Sequence, residues 1–473
     1  MHAGQRFAGR AGRLAAPRSA SVALLVTILA AGVAAGQVQT QQAAAAALPD
    51  AGAVTAYADG GAFLLNGHPS FPIALSNPPP LDGKTPSGGD GLDEVVRSGV
   101  TMFRVGPLSE PWMPSTIAYT EAWDQAALDR RVHTWVSLSN VSTARPGARS
   151  DLVLEKVVTA LLSDRSAGGI GMWKGADEPG WGRTPPADLR FAYCRVTSRG
   201  PANWCAGEQP LDRNHLWVTI EAPRGTPSKL AGYSSVTDTH GVDVYPVSMT
   251  AADPDLHQVG VWTRALATIT PNRSVWTTLQ ICSSGSYDRA GDYILPTRLQ
   301  ERYMIYDAII NGARGLSFFG GDNPACWDLS DKETGWNWTF WNTTLAPLIK
   351  EIKARSALGP VLRSPDSTRD LSTVDPTTEA ISRVVATPAG PQLWVIAARS
   401  GRGERPVTIT GLPRTAKWAS VYTENRAVRV VDGTLTDRFA RWQVHVYRFA
   451  VSAAAAGAGR LVRPAMREMT PRG

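Results

Sequence analysis

The chain has 473 residues, enough for two or three domains, and a formal net charge of +7. That charge is terminal: Arg6, Arg10, Arg13 and Arg18 give +4 before residue 49, and the tail 451–473 adds +3. The body is neutral, which removes the electrostatic reason to expect nucleic acid or an anionic membrane as a partner.

Residues 1–36 have the form of an export signal. The basic arginines precede an apolar run, VALLVTILAAGVAAG at 22–36, and Ala34 and Gly36 offer a small-residue cleavage site. The run is too short and too rich in small residues for a membrane span. A linker over 37–60 follows, rich at first in Gln and Ala.

From residue 61 a β–α alternation begins. FLLNGHPSFPIALSN (63–77) holds a hairpin and then a first strand. Strands follow at 100–106, 133–140, 169–173, 216–223, 241–247, 275–281 and 315–321, each separated by a helical stretch. The clearest helix is 150–164, where Leu154, Val157, Val158, Leu161 and Leu162 recur at i, i+3, i+4, i+7 and i+8. Eight such units predict an α/β fold, a closed (β/α)₈ TIM barrel over 61–362. After residue 366 short β-rich runs appear, among them QLWVIAAR, PVTITGL, RVVDGTL and WQVHVYRF. They predict a small antiparallel, sandwich-like β-domain over 366–450, then a disordered tail over 451–473.

In such a barrel the chemistry sits at the carboxyl ends of the strands. These ends offer Asn77, Arg104, Asn140, Asp177 and Glu178, Glu221, Asp243 and Tyr245, Gln280, and Asp322. The stretch GMWKGADEPGW (171–181) organises the set, since Pro179 and Gly180 end a strand and hand two carboxylates to a loop. An apolar setting from Trp173 and Trp181 raises a carboxyl pKa, so Glu178 can hold a proton to donate. Side-chain alternation places Asp243 and Tyr245 on one face of strand six and Trp217, Thr219 and Glu221 on one face of strand five; both sets are expected to point into the mouth. Of the 16 tryptophans, Trp327, Trp336, Trp338 and Trp341 cluster after strand eight, where loops can present rings for stacking.

FLLNGHPSFPIALSN, GVTMFRVGP, WKGADEPGW and GARGLSFFGG, in that order, resemble the first, second, fourth and eighth strands of clan A glycoside hydrolases. The resemblance covers roughly residues 63–360. It implies that Glu178 is the acid/base and that Asn77, Arg104 and Tyr245 line a carbohydrate site. One position departs from the pattern: the clan's strand-seven glutamate nucleophile is Gln280 here, within VWTTLQICSSG. Any cleavage is then expected to invert the anomeric centre, with Asp243, or Glu221, as the second carboxylate beside Glu178. A non-catalytic carbohydrate-binding barrel is the alternative.

The seven histidines form no HxH or HExxH, and His133, His215 and His240 fall at strand starts, so neither a metal site nor a cofactor is expected. In an exported, extracellular or periplasmic chain, four cysteines favour disulfides. Cys194 and Cys205 are close in sequence. Cys282 and Cys326 follow strands seven and eight, which are neighbours in a closed barrel.

Overall fold

The computed structural model describes residues 53–451, apart from 59, 108–109, 201–204, 206, 208, 224, 249–252 and 283–293. The expected export signal, most of the expected linker and all but the first residue of the expected tail lie outside the described residues. Among those described, no helix is long and apolar enough to cross a membrane.

Eight parallel strands close into a barrel: β1 (Ile73–Leu75), β2 (Met102–Val105), β3 (His133–Ser137), β4 (Ile170–Asp177), β5 (Leu216–Glu221), β6 (Thr239–Asp243), β7 (Ser274–Gln280) and β8 (Gly315–Phe319). Parallel pairing runs in chain order, and β8 returns to β1. The outer helices include α1 (Gly91–Ser98), α2 (Pro114–Asp129), α3 (Arg149–Ser163), α4 (Pro186–Thr197), α5 (Gln258–Ile269) and α6 (Arg298–Ile310). After β5 the connection is a run of 3₁₀ turns, Pro227–Val236, in place of an α-helix. Leu154, Val157, Val158 and Leu161 of α3 are fully buried, as their spacing requires. The N-terminal hairpin, Phe63–Leu65 with His68–Ser70, turns at Asn66 and Gly67, both at positive φ.

The barrel lumen is a packed core of its own. Met102, Trp135, Met172, Leu216, Val218, Ile220 and Trp276 fill it. This inverts the expected parity of β5: Leu216, Val218 and Ile220 face inward, so Trp217, Thr219 and Glu221 face the helices. The physical reason lies in the sheet. Both faces of a parallel barrel strand are buried, so apolar character cannot distinguish lumen from helix side. The register decides: Met172 pairs with Leu216 and Lys174 with Val218.

The C-terminal strands are β9 (Ser372–Thr373), β10 (Thr378–Val385), β11 (Gln392–Arg399), β12 (Arg405–Thr410), β13 (Trp418–Val421), β14 (Arg426–Val431), β15 (Thr434–Phe439) and β16 (Val444–Ala450). They form one antiparallel order, β9-β12-β15-β14-β13-β16-β11-β10. RVVDGTL, read as one run, is a hairpin: Asp432 and Gly433 take positive φ and reverse the chain between β14 and β15. Alternate residues of β11 serve two cores. Leu393, Val395 and Ala397 pack within the β-domain, whereas Trp394, Ile396 and Ala398 join the core of the barrel. Arg302 on α6 reinforces that contact, donating to the Glu351 carboxylate at 2.8 Å and to the Val444 carbonyl at 2.8 Å.

Both disulfides form. The Cα atoms of Cys194 and Cys205 lie 5.1 Å apart, and those of Cys282 and Cys326 lie 5.9 Å apart.

Candidate active site

The site grows from a bulge in β4. Gly175 allows it: a Cβ there would lie 2.1 Å from the Trp217 Nε1. Beyond the bulge Asp177 pairs with Ile220 and turns back toward Lys174. Lys174 points into the lumen, is buried, and donates to Asp177 Oδ1 at 2.7 Å and to Ser139 Oγ at 3.2 Å. Burial lowers its pKa, and nearby Arg104 adds to that, against the pull of Asp177. Desolvation pushes Asp177 up, but Lys174, then Arg104, hold it below the usual carboxylate range.

Glu178 follows with φ at +44°, a left-handed conformation costly for a residue before proline. The turn is held from β5: the Glu178 N–H donates to the Ile220 carbonyl at 2.7 Å. The half-buried Glu178 carboxyl is directed at Asp243, and the two share a hydrogen bond. Asp243 lies deep in the mouth, where burial, then Glu178, push its pKa far above the ordinary range. One proton is therefore shared by the pair. A hydrogen-bonded pair has no room for a water, so these two carboxyls do not form the 6.5–9.5 Å arrangement expected for inversion.

Around this pair stand the other strand ends. Asn77 donates to Asp322 at 2.9 Å and accepts from the Gly320 N–H at 3.2 Å. The Arg104 guanidinium sits 5.8 Å from the Phe319 ring, and Tyr245 stacks on the same ring at 5.7 Å. Phe319 went unnoticed in the sequence because it reads as one more apolar strand residue; its odd position in β8, opposite in parity to the buried Leu316 and Phe318, is the signal that places it in the mouth.

Four expected site residues do other work. Glu221 lies outside the lumen, and its carboxyl accepts the Gly180 N–H at 3.0 Å beneath the turn. Trp173 faces the helices, its Nε1 bonded to Asp212 at 2.6 Å and its ring edge-on to His215. Gln280 is consumed by backbone: it receives the Val247 N–H and donates to the Val247 and Cys282 carbonyls. It thus joins the loops after β6 and β7. The Asn140 amide donates to the Glu110 carbonyl. The tryptophans divide as well. Trp336, Trp338 and Trp341 are core, packed ring on ring, with Trp336 bonded to the Asn77 carbonyl at 2.9 Å. Trp327 is partly buried and bonds the Gly321 carbonyl at 3.0 Å, and Trp181 is 53% exposed.

Away from the mouth, His257, Asp307 and Glu379 come together between α5, α6 and β10. Their atoms are already engaged: Asp307 by His257 and the Gly260 N–H, and Glu379 by Arg264 and Asn311.

No family model matches the chain, and no curated protein matches it in sequence. Solved structures do match in fold. A glycoside hydrolase family 5 protein from Bacteroides vulgatus is 11% identical with a TM-score of 0.57, covering 85% of this chain and 94% of that one. A second structure, described as a glycoside hydrolase, is 13% identical with a TM-score of 0.54, covering 85% of this chain and 97% of that one. The fold is that of glycoside hydrolase barrels.

Proposed function

We propose that this protein is an exported enzyme that hydrolyses O-glycosidic bonds of an oligo- or polysaccharide, with Glu178 as the general acid. The observation that carries this reading is the carboxyl pair of Glu178 and Asp243 at the carboxyl end of the barrel. Two carboxyls in hydrogen-bonding contact cannot both ionise readily, so one proton stays available near neutral pH. Glu178, the more exposed partner, delivers that proton to the glycosidic oxygen as the bond to the anomeric carbon breaks. Water adds to that carbon, and its released proton returns to the pair. Asp243 keeps the proton in place between turnovers. Asp177, which Lys174 and Arg104 keep ionised, supplies negative charge to the positively charged sugar of the transition state. Asn77, Arg104, Tyr245, Asp322, Trp181 and Trp327 form the rim that receives the sugar. The two disulfides fit an oxidising compartment.

One observation favours a second reading, a barrel that binds sugar without cutting it. Gln280 occupies the strand-seven position and is wholly engaged with backbone. Incubation with a panel of polysaccharides separates the two. New reducing ends with the native chain and not with Glu178→Gln support hydrolysis. Binding without any cleavage supports the second reading.

A further inference from the structure

The face of the β-domain that packs on the barrel does not end at the barrel. Along β16, Val444 and Val446 are buried against it, but Arg448, next on the same face, is exposed. Arg448 lies opposite Ser420 of β13 and Trp394 of β11. Its guanidinium rests 5.7 Å from the Trp394 ring, and its Nε donates to Ser420 Oγ at 3.3 Å. Two residues before Ser420 comes Trp418, which is 61% exposed, and directly opposite it on β14 stands exposed Arg429. Lys417 and Arg414, also exposed, precede Trp418. On β13, β14 and β16 the positions of this face carry no acidic residue; Glu379, on β10, lies at its barrel side and is bonded to Arg264 and Asn311.

An indole left in water on a sheet face forgoes its burial. Cations gathered around it without acids repel one another. An occupant with apolar ring faces and regularly spaced negative charge relieves both. We propose that this face binds an acidic polysaccharide, a uronic-acid polymer, with sugar C–H faces on Trp418 and carboxylates at Arg429 and Arg448. The choice of a sugar polymer rests on the carbohydrate reading of the barrel, and the surface is separate from the barrel mouth.

Electrophoresis of the full chain through gels containing polygalacturonate, or neutral dextran, tests the surface. The native chain and Glu178→Gln are retarded by the acidic polymer and not by dextran, and added salt weakens the retardation. Trp418→Ala weakens it about 2–10-fold, as expected for one lost stacking partner. Arg429→Glu weakens it further, and both variants keep the native melting temperature. Variants that migrate like the native chain overturn the proposal. So does equal retardation by dextran, or binding to anionic phospholipid vesicles in place of the polymer. If the native chain cleaves a polysaccharide yet shows no retardation, only this surface is lost. If it is retarded yet cleaves nothing, the hydrolase reading is lost and the surface stands.

Discussion

The Glu221 carboxyl accepts the Gly180 N–H at 3.0 Å, two residues beyond Glu178. Together with the bond from Glu178 to the Ile220 carbonyl, it ties the carboxylate turn to the end of β5. Glu221 is buried, and that burial pushes its pKa from 4.5 to about 8; the Gly180 N–H opposes the shift, and Glu178 and Asp177 add to it. The folded state therefore holds a proton that the unfolded chain releases. The associated stability is complete below pH 4.5 and is lost as pH rises through about 8. Glu221→Gln keeps the acceptor but cannot ionise. Melting curves from pH 4 to 9 are expected to show the native chain losing stability on the alkaline side relative to this variant. Parallel curves would show that Glu221 is ionised when folded.

Glu178→Gln preserves shape and removes the transferable proton. Turnover on the substrate found by screening is expected to fall about 10²–10⁴-fold, with binding largely kept. Unchanged turnover would move the acid role elsewhere in the mouth.

Asp243→Asn tests the shared proton. In the native pair, ionising both groups brings two negative charges together, so the last proton is held to high pH. The asparagine amide brings no such repulsion, and its N–H stabilises ionised Glu178. The alkaline limb of the pH–rate profile is expected to move to lower pH. A limb that stays in place would mean that Asp243 does not govern the proton on Glu178.

The Cys282–Cys326 bridge spans 44 residues and links the loops after β7 and β8. Chain-entropy arguments assign such a crosslink about 4 kcal/mol. Replacing both cysteines by serine should lower the unfolding midpoint without changing the Cys194–Cys205 bridge. Thiol titration of the unfolded native chain should find no free thiol before reduction and four after it.

The sequence by itself determined the repeated β–α units, and with them the barrel, because each unit carries a local signal: helical periodicity, a β-rich run, a turn. It also determined both disulfide pairs, since a closed barrel makes the loops after β7 and β8 neighbours. The order of strand ends put Asp177, Glu178, Asp243 and Asn77 in one mouth. What only the tertiary structure decided is which way individual side chains point. Trp217 and Ile220 are both apolar and both buried, one against Tyr193 and one in the lumen, and hydrophobicity gives them the same score. Pairing register separates them, because Met172 and Lys174 pair with Leu216 and Val218 and so set which face of β5 meets the lumen. Glu221 shares the face of Trp217 and ends beneath the turn, while the bulge that Gly175 permits changes the register of β4 before Asp177 and Glu178. Gln280 follows the same logic: its role is set by the Val247 backbone that happens to lie across from it, 33 residues away in the chain. Local pattern specifies elements because their forces act within a few residues. The partners of a buried polar group come from distant segments, so only the assembled barrel assigns them.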